Sequence, residues 1–181
     1  MGMKFRWKWG NLKKLLTCAD EIVEGSRAAI FVRDYLMYRQ KGVELPFEAQ
    51  WHWTGRSELA MVEIGDLCRY DHDVRRGRCE ERPMPLRDYA LYKFLESGDF
   101  RYWQEHLDRH PDHGFTAEER RREGEEFLAF RDSFIREGYD ISKRAIVLDA
   151  HGVVIDGCHR VSCLLSHYGA KHRIRVVRII G

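Results

Sequence analysis

The stretch 153–165, "VVIDGCHRVSCLL", limits what this chain can fold into more than any other. Val153, Val154 and Ile155 form an apolar run that is β-branched and too short for most helices, so it reads as a strand ending at Asp156. Gly157 supplies a turn. Val161, Leu164, Leu165 and Tyr168 then fall at i, i+3, i+4 and i+7, which commits one face of a following helix to a core. A strand that feeds a helix through a glycine turn is a natural anion holder, because the first helical N–H groups lack intrahelical partners and the helix dipole favours negative charge there. The polar or reactive residues at this junction, Asp156, Cys158, His159 and Arg160, are therefore expected to meet a phosphate.

The rest of the last third extends the pattern. "AIVLD", a turn at His151 and Gly152, the strand and helix above with Gly169 as cap, and "RIRVVRII" make a strand, strand, helix, strand series. Further upstream, Met61 or Val62, Ile64 and Leu67 alternate with polar residues and predict a strand over about 60–64. The polar segment "DHDVRRGRCEERPMP" reads as a solvated loop or one that closes on a ligand, and Pro83 and Pro85 bar a helix before Leu86. Leu86, Tyr89, Ala90, Phe94 and Leu95 then predict a helix ended by Gly98, and "RYWQEHLDRH" a shorter one before Pro111. Thr116 with Glu119 is a capping box for a helix that carries Phe127, Phe130, Phe134 and Ile135 on one side and stops at Gly138. Its "EERRREGEE" stretch reads as a solvated face.

At the N-terminus "MKFRWKWGNLKKLL" leads into Leu12, Leu15, Leu16, Ala19, Ile22 and Val23 at helical spacing. This is a helix whose tryptophans pack on the domain or, alternatively, one that touches a membrane surface or anionic partner. A second helix over 27–40 places Ala29, Ile30, Val32, Leu36 and Met37, with Arg33, on one side and stops at Gly42, giving a helical hairpin. Trp51 and Trp53 read as packing residues.

A chain of 181 residues accommodates one well-buried domain with elaborations. Its 31 Lys and Arg against 29 Asp and Glu leave a net charge of +2, which disfavours a whole-surface polyanion binder, so nucleic acid is not the expected partner. No apolar run approaches the ~20 residues of a membrane span and no secretory apolar core is evident, so a cytoplasmic protein is expected. Five cysteines, at 18, 68, 79, 158 and 163, match neither a zinc pattern nor a disulfide framework and are expected to be reduced.

At the junction, the helix dipole and a nearby cation would favour a Cys158 thiolate, while the Arg160 guanidinium offers a fork of donors to phosphate. Asp156 is suited to accepting a proton or holding magnesium, and equally to simple capping. Cys158 also reads as a small packing residue, and Cys163 as a resolving thiol or an ordinary helix cysteine.

The segment "IVLDAHGVVIDGCHRVSCLLSHYGAKHRIRVVRI" resembles the core motif of the ParB/sulfiredoxin superfamily, in which an [I/V]-D-G-x-H-R turn leads a helix and a final strand follows. The likeness covers about residues 138–181 and extends weakly to "AMVEIGDLCRYD". It implies a small α/β core binding a nucleotide, with His159, Arg160 and the helix start on the phosphates. Three branches make different claims. Sulfiredoxins carry Gly-Cys-His-Arg with an attacking thiol, matched by Gly157 to Arg160, although Asp156 stands where they have another glycine. The amino-acid kinases of the superfamily carry Asp-Gly-x-His-Arg with an upstream acidic base, for which Asp71, Asp73, Glu80 and Glu81 are candidates here. The DNA-segregation proteins add a helix-turn-helix after the last strand, and none follows it in this sequence.

The expectation is thus an α+β fold: a ParB/sulfiredoxin-like mixed-sheet domain over 58–181 with a helical insertion at about 86–110, behind an N-terminal helical extension over 1–57. The leading function is an ATP-dependent phosphotransferase acting on a small molecule. Gly157, Cys158, His159 and Arg160 would form the nucleotide site, with Asp156 as base or magnesium ligand. The alternatives are a reductase using Cys158 and a non-catalytic nucleotide- or DNA-binding adaptor.

Overall fold

Residues 173–180, "RIRVVRII", alternate in a way that can bury both faces of a strand, and they form the long strand around which the chain is arranged. In the computed structural model, which describes residues 27–46, 49, 53, 55–71, 82–109 and 116–180, the strands are β1 (Arg56–Glu63), β2 (Cys68–Asp71), β3 (Arg82–Pro85), β4 (Val147–Leu148), β5 (Val153–Asp156) and β6 (Arg173–Ile180). They make one six-stranded sheet in the order β1-β6-β4-β5-β2-β3. The β1/β6, β4/β5 and β2/β3 pairs are antiparallel, and β4/β6 and β2/β5 are parallel. The helices are α1 (Arg27–Gln40), α2 (Ala90–Ser97), α3 (Phe100–Asp108), α4 (Ala117–Glu137) and α5 (Cys158–Tyr168), so the fold is α+β with a mixed sheet.

Each face of the sheet has its own cover. Ile174 and Val176 of β6 point with Val62 and Val154 toward Val161, Leu164 and Leu165 of α5. Val177 and Ile179 lie on the opposite face with Val147, under Phe31 and Tyr38 of α1 and Trp53. A third cluster, in which Phe94, Trp103, Leu107 and Phe127 surround Cys163, joins α2, α3 and α4 to the outer side of α5. Helix α5 is therefore covered from both sides, and Val161, Ser162, Cys163, Leu164 and Leu165 are all buried.

Several expectations are met in detail. The capping box at Thr116 and Glu119 opens α4, with Thr116 Oγ1 accepting from Glu119 N and Glu119 Oε2 accepting from Thr116 N at 2.7 Å. Gly98 caps α2 in the left-handed region at φ 68°.

Other expectations are corrected. The helix read as carrying Leu86 and Tyr89 begins only at Ala90, with Tyr89 as its N-cap and a 3₁₀ turn at Leu86–Asp88 before it. The strand read at about 60–64 begins at Arg56 and ends at Glu63, because the polar residues Arg56, Ser57 and Glu58 pair with Ile180, Ile179 and Arg178 across the sheet. Pro83 and Pro85, read as loop, lie in β3, which is an edge strand where a missing N–H costs no ladder bond. The buried stripe of α1 is Phe31, Asp34 and Tyr38, while Leu36 is 48% exposed. Asp34 hides the period: its carboxylate is buried and accepts from Arg33 Nε, Trp53 Nε1 and Ser57 Oγ. Tyr168, assigned to the core face of α5, is 43% exposed and stacks on His172. The first half of the expected hairpin, Trp51, the loop at 72–81 and the cysteines at 18 and 79 lie outside the described residues. No helix among the described residues is long and apolar enough to cross a membrane.

Two positions on these helices give opposite expectations. Ser162 is fully buried and its hydroxyl has no hydrogen-bond partner among the described residues. Ser162→Ala is expected to raise stability by up to about 1 kcal/mol, seen as a higher urea midpoint at unchanged slope. At Gly124 a Cβ would come within 2.7 Å of Phe100 Cε1 and 3.0 Å of Trp103 Cδ1, so Gly124→Val is expected to lower the midpoint. A destabilised Ser162→Ala would mean that the hydroxyl is partnered.

Candidate functional site

Gly157 is the pivot of the site. It has φ +95°, in the left-handed region, and a Cβ there would stand 2.8 Å from Ile146 Cγ1 and 2.9 Å from Arg160 Nη2. Only glycine meets both conditions without strain. The turn brings the end of β5 against the start of α5, and Val161 N donates to Gly157 O to begin the helix.

Asp156 and Arg160 face each other across this turn. Arg160 Nη2 donates to Asp156 Oδ2 at 2.6 Å, and Arg144 Nη2 donates to Asp156 Oδ1 at 3.3 Å. The other Arg160 nitrogen, Nη1, donates to the backbone carbonyls of Arg144 and, at 3.3 Å, of Ala145. Arg160 is thus a clamp between α5 and the residues leading into β4. Burial lowers its affinity for its proton, and the Asp156 carboxylate opposes that effect. Both terminal nitrogens of Arg160 already have partners within the turn, and Arg144, half exposed, occupies the outer position.

A cleft of about 510 Å³ opens at this turn. Asp156, Gly157, His159 and Arg160 line it together with Arg144, Trp103 of α3, and Glu123, Glu126, Phe127 and Phe130 of α4. Phe127 stacks with Trp103 at 5.4 Å and with Phe130 at 6.1 Å, and Phe130 stacks with Phe134 at 5.7 Å. The wall is therefore a ladder of rings, of which Phe130 is 42% exposed. His159 is exposed at the cleft with its ring edge-on to Phe127 at 5.3 Å and to His106 at 5.4 Å.

Cys158 does not line this cleft. It packs on the core, and Arg69 Nη1 donates to its Sγ at 3.2 Å. Burial pushes its thiol above the ordinary range; the Arg69 charge pulls the other way and loses. The expected thiolate is thus corrected: the helix start does lie beside a cation, but desolvation of the sulfur outweighs it. Cys163, fully buried among α2, α3 and α4, is pushed up to about 12 by burial, which makes it a core residue.

Asp156 has each oxygen taken by a guanidinium, and among the described residues no group of three or more His, Cys, Asp or Glu could hold a metal ion. These donors do not by themselves make a magnesium site. Of the candidate upstream bases, Asp71 ends β2, and Asp73, Glu80 and Glu81 lie outside the described residues. The cleft residues that sequence reasoning missed are Arg144, Trp103, Glu123, Glu126 and the rings of α4. Phe127 and Phe130 were legible as one face, and their position opposite His159 was not.

Two outcomes follow from this geometry. Gly157→Ala is expected to cost about 1–3 kcal/mol of stability and to loosen the Asp156–Arg160 pair, measured by urea unfolding. Iodoacetamide is expected to alkylate Cys158 more slowly than a free cysteine at neutral pH, with the rate climbing only in the alkaline range, as mapped by peptide mass spectrometry. Fast alkylation at neutral pH would restore the thiolate.

No protein-family model, no curated protein and no solved structure matches this chain.

Proposed function

We propose that the chain is a nucleotide-dependent phosphotransferase acting on a small molecule, of the ParB-like kinase type, with ATP as donor. One observation carries this reading. Asp156, Gly157, His159 and Arg160, selected from sequence as phosphate-facing residues, line one cleft at the start of a helix, beside a second arginine and an aromatic wall. The volume of about 510 Å³ suits a ligand of nucleotide size.

In this reading the phosphates lie at the first turn of α5, where the helix dipole and the N–H direction favour anions, and Arg144 reaches them from the outer edge. Arg160 acts through Asp156 and the turn. The nucleoside stacks on the exposed ring of Phe130, and Glu123 or Glu126 accepts from ribose hydroxyls. Asp156 takes the proton of the substrate hydroxyl as the hydroxyl oxygen bonds to the terminal phosphorus and the bond to the nucleoside diphosphate breaks.

Cys158, away from the cleft and with its thiol pushed up, argues against the reductase reading. A second reading has a specific observation in its favour. The internal engagement of Arg160 is also what a nucleotide-binding adaptor without catalysis would have.

Isothermal titration with ATP, ADP and CTP in the presence of magnesium tests both readings. At least one is expected to bind. Arg144→Ala is expected to weaken that binding by about tenfold, equivalent to ~1.4 kcal/mol, and Phe130→Ala several-fold. Binding without phosphoryl transfer to any hydroxyl compound would favour the adaptor, and no heat with any of the three would remove both.

A further inference from the structure

His159 is the one ring at the start of α5 that is exposed in the cleft. Two rings, on two other helices, meet it edge-on. Phe127 belongs to α4, and His106 to α3, with planes at 64° and 83° to that of His159. Phe127 is a packing residue by type. His106 is not: it is a buried polar ring in an aromatic cluster, an arrangement that is costly unless its polar atoms are satisfied.

Tyr89 supplies a partner. Its hydroxyl is 2.6 Å from His106 Nδ1 and hydrogen-bonded to it, and both residues are buried. That bond fixes the rotation of the His106 ring, which Trp103 also contacts at 5.3 Å. Over the Tyr89 ring the Arg69 guanidinium lies 3.9 Å from the ring centre. The same arginine donates to Cys158 Sγ. Tyr89 is therefore connected to both residues that open α5: through Arg69 to Cys158, and through His106 to His159.

We propose that Tyr89 and His106 are positioning residues for His159. A hydrogen-bonded pair buried between α2 and α3 holds the His106 ring against the His159 imidazole and so keeps that imidazole directed into the cleft. The chemistry served, contact with a phosphate oxygen at the start of α5, rests on the nucleotide reading above; the orientation of the ring does not. The helices between residues 90 and 108 then have a role in the site beyond the one residue, Trp103, by which they line the cleft.

The test is NMR of the histidine side chains in the full chain, with the His159 ring signals assigned through His159→Gln. In the wild type a nuclear Overhauser contact between the His106 and His159 rings is expected. Tyr89→Phe keeps the ring and its contact with Arg69 and removes only the hydroxyl. It is expected to shift the His159 ring signals by tenths of a ppm, or to split or broaden them, while the methyl spectrum stays that of the folded protein. It is also expected to weaken ATP binding several-fold, whereas the remote Ser133→Ala does neither.

A purely structural role for the pair would lower the unfolding midpoint and leave the His159 signals of the folded state unchanged. That result in Tyr89→Phe, or in His106→Asn should the first variant not fold, would overturn the proposal. Absence of the ring contact in the wild type would overturn it without any variant. If ATP, ADP and CTP all fail to bind the wild type, the nucleotide reading falls, and the ring signals still decide whether Tyr89 and His106 position His159.

Discussion

The burial of α5 from both sides is the constraint on which the rest of the structure depends. An 11-residue helix standing alone in water is marginal, so its order comes from packing. One side presents Val161, Leu164 and Leu165 to the sheet, and the other presents Cys163 to the aromatic cluster of α2, α3 and α4. Truncating a residue such as Leu164 would remove about 2–5 kcal/mol, a large part of what a domain of this size has. Because the same helix carries Cys158, His159 and Arg160 in its first turn, the core and the cleft share one element. Changes in the helical layer thereby reach the site through α5.

The first turn is held by charge as well as by packing. Asp156 lies between two guanidiniums, and Arg160 also spans to the carbonyls ahead of β4. Partly buried pairs of this kind add little net stability compared with apolar packing, and removing one member leaves the other costly. What they add is geometry: strand end, glycine turn and helix start keep one relation to one another. Arg160 is engaged inward in the turn, while Arg144 holds the same carboxylate from a more exposed position. The charges in the cleft are mixed, since Glu123 and Glu126 line it beside Arg144 and Arg160.

Local signals account for what was legible. The Thr116 and Glu119 box, the stops at Gly98 and Gly138, and the strand–glycine–helix at Gly157 each depend on a few residues close in sequence. Where the reading failed, a distant partner decided. The buried stripe of α1 passes through Asp34, which is hydrophilic by type and buried because Trp53 and Ser57 donate to it. The polar start of β1 is a strand because β6 offers it a ladder. Cys158 lies at a helix start, as expected, and the buried side of that start sets its protonation.

By itself, then, the sequence determined the α+β composition, the place of most helices, and the junction at which Asp156, Gly157, His159 and Arg160 meet. These follow from backbone preferences and from apolar spacing within a turn or two of chain. Only the tertiary structure decided that Arg160 closes the turn inward, that Cys158 faces Arg69 and not the cleft, and that the rings of α4 form the wall opposite His159. Each of these is a contact between residues many positions apart. Their burial and pairing energies belong to the packed arrangement and have no periodic trace in either partner's own segment.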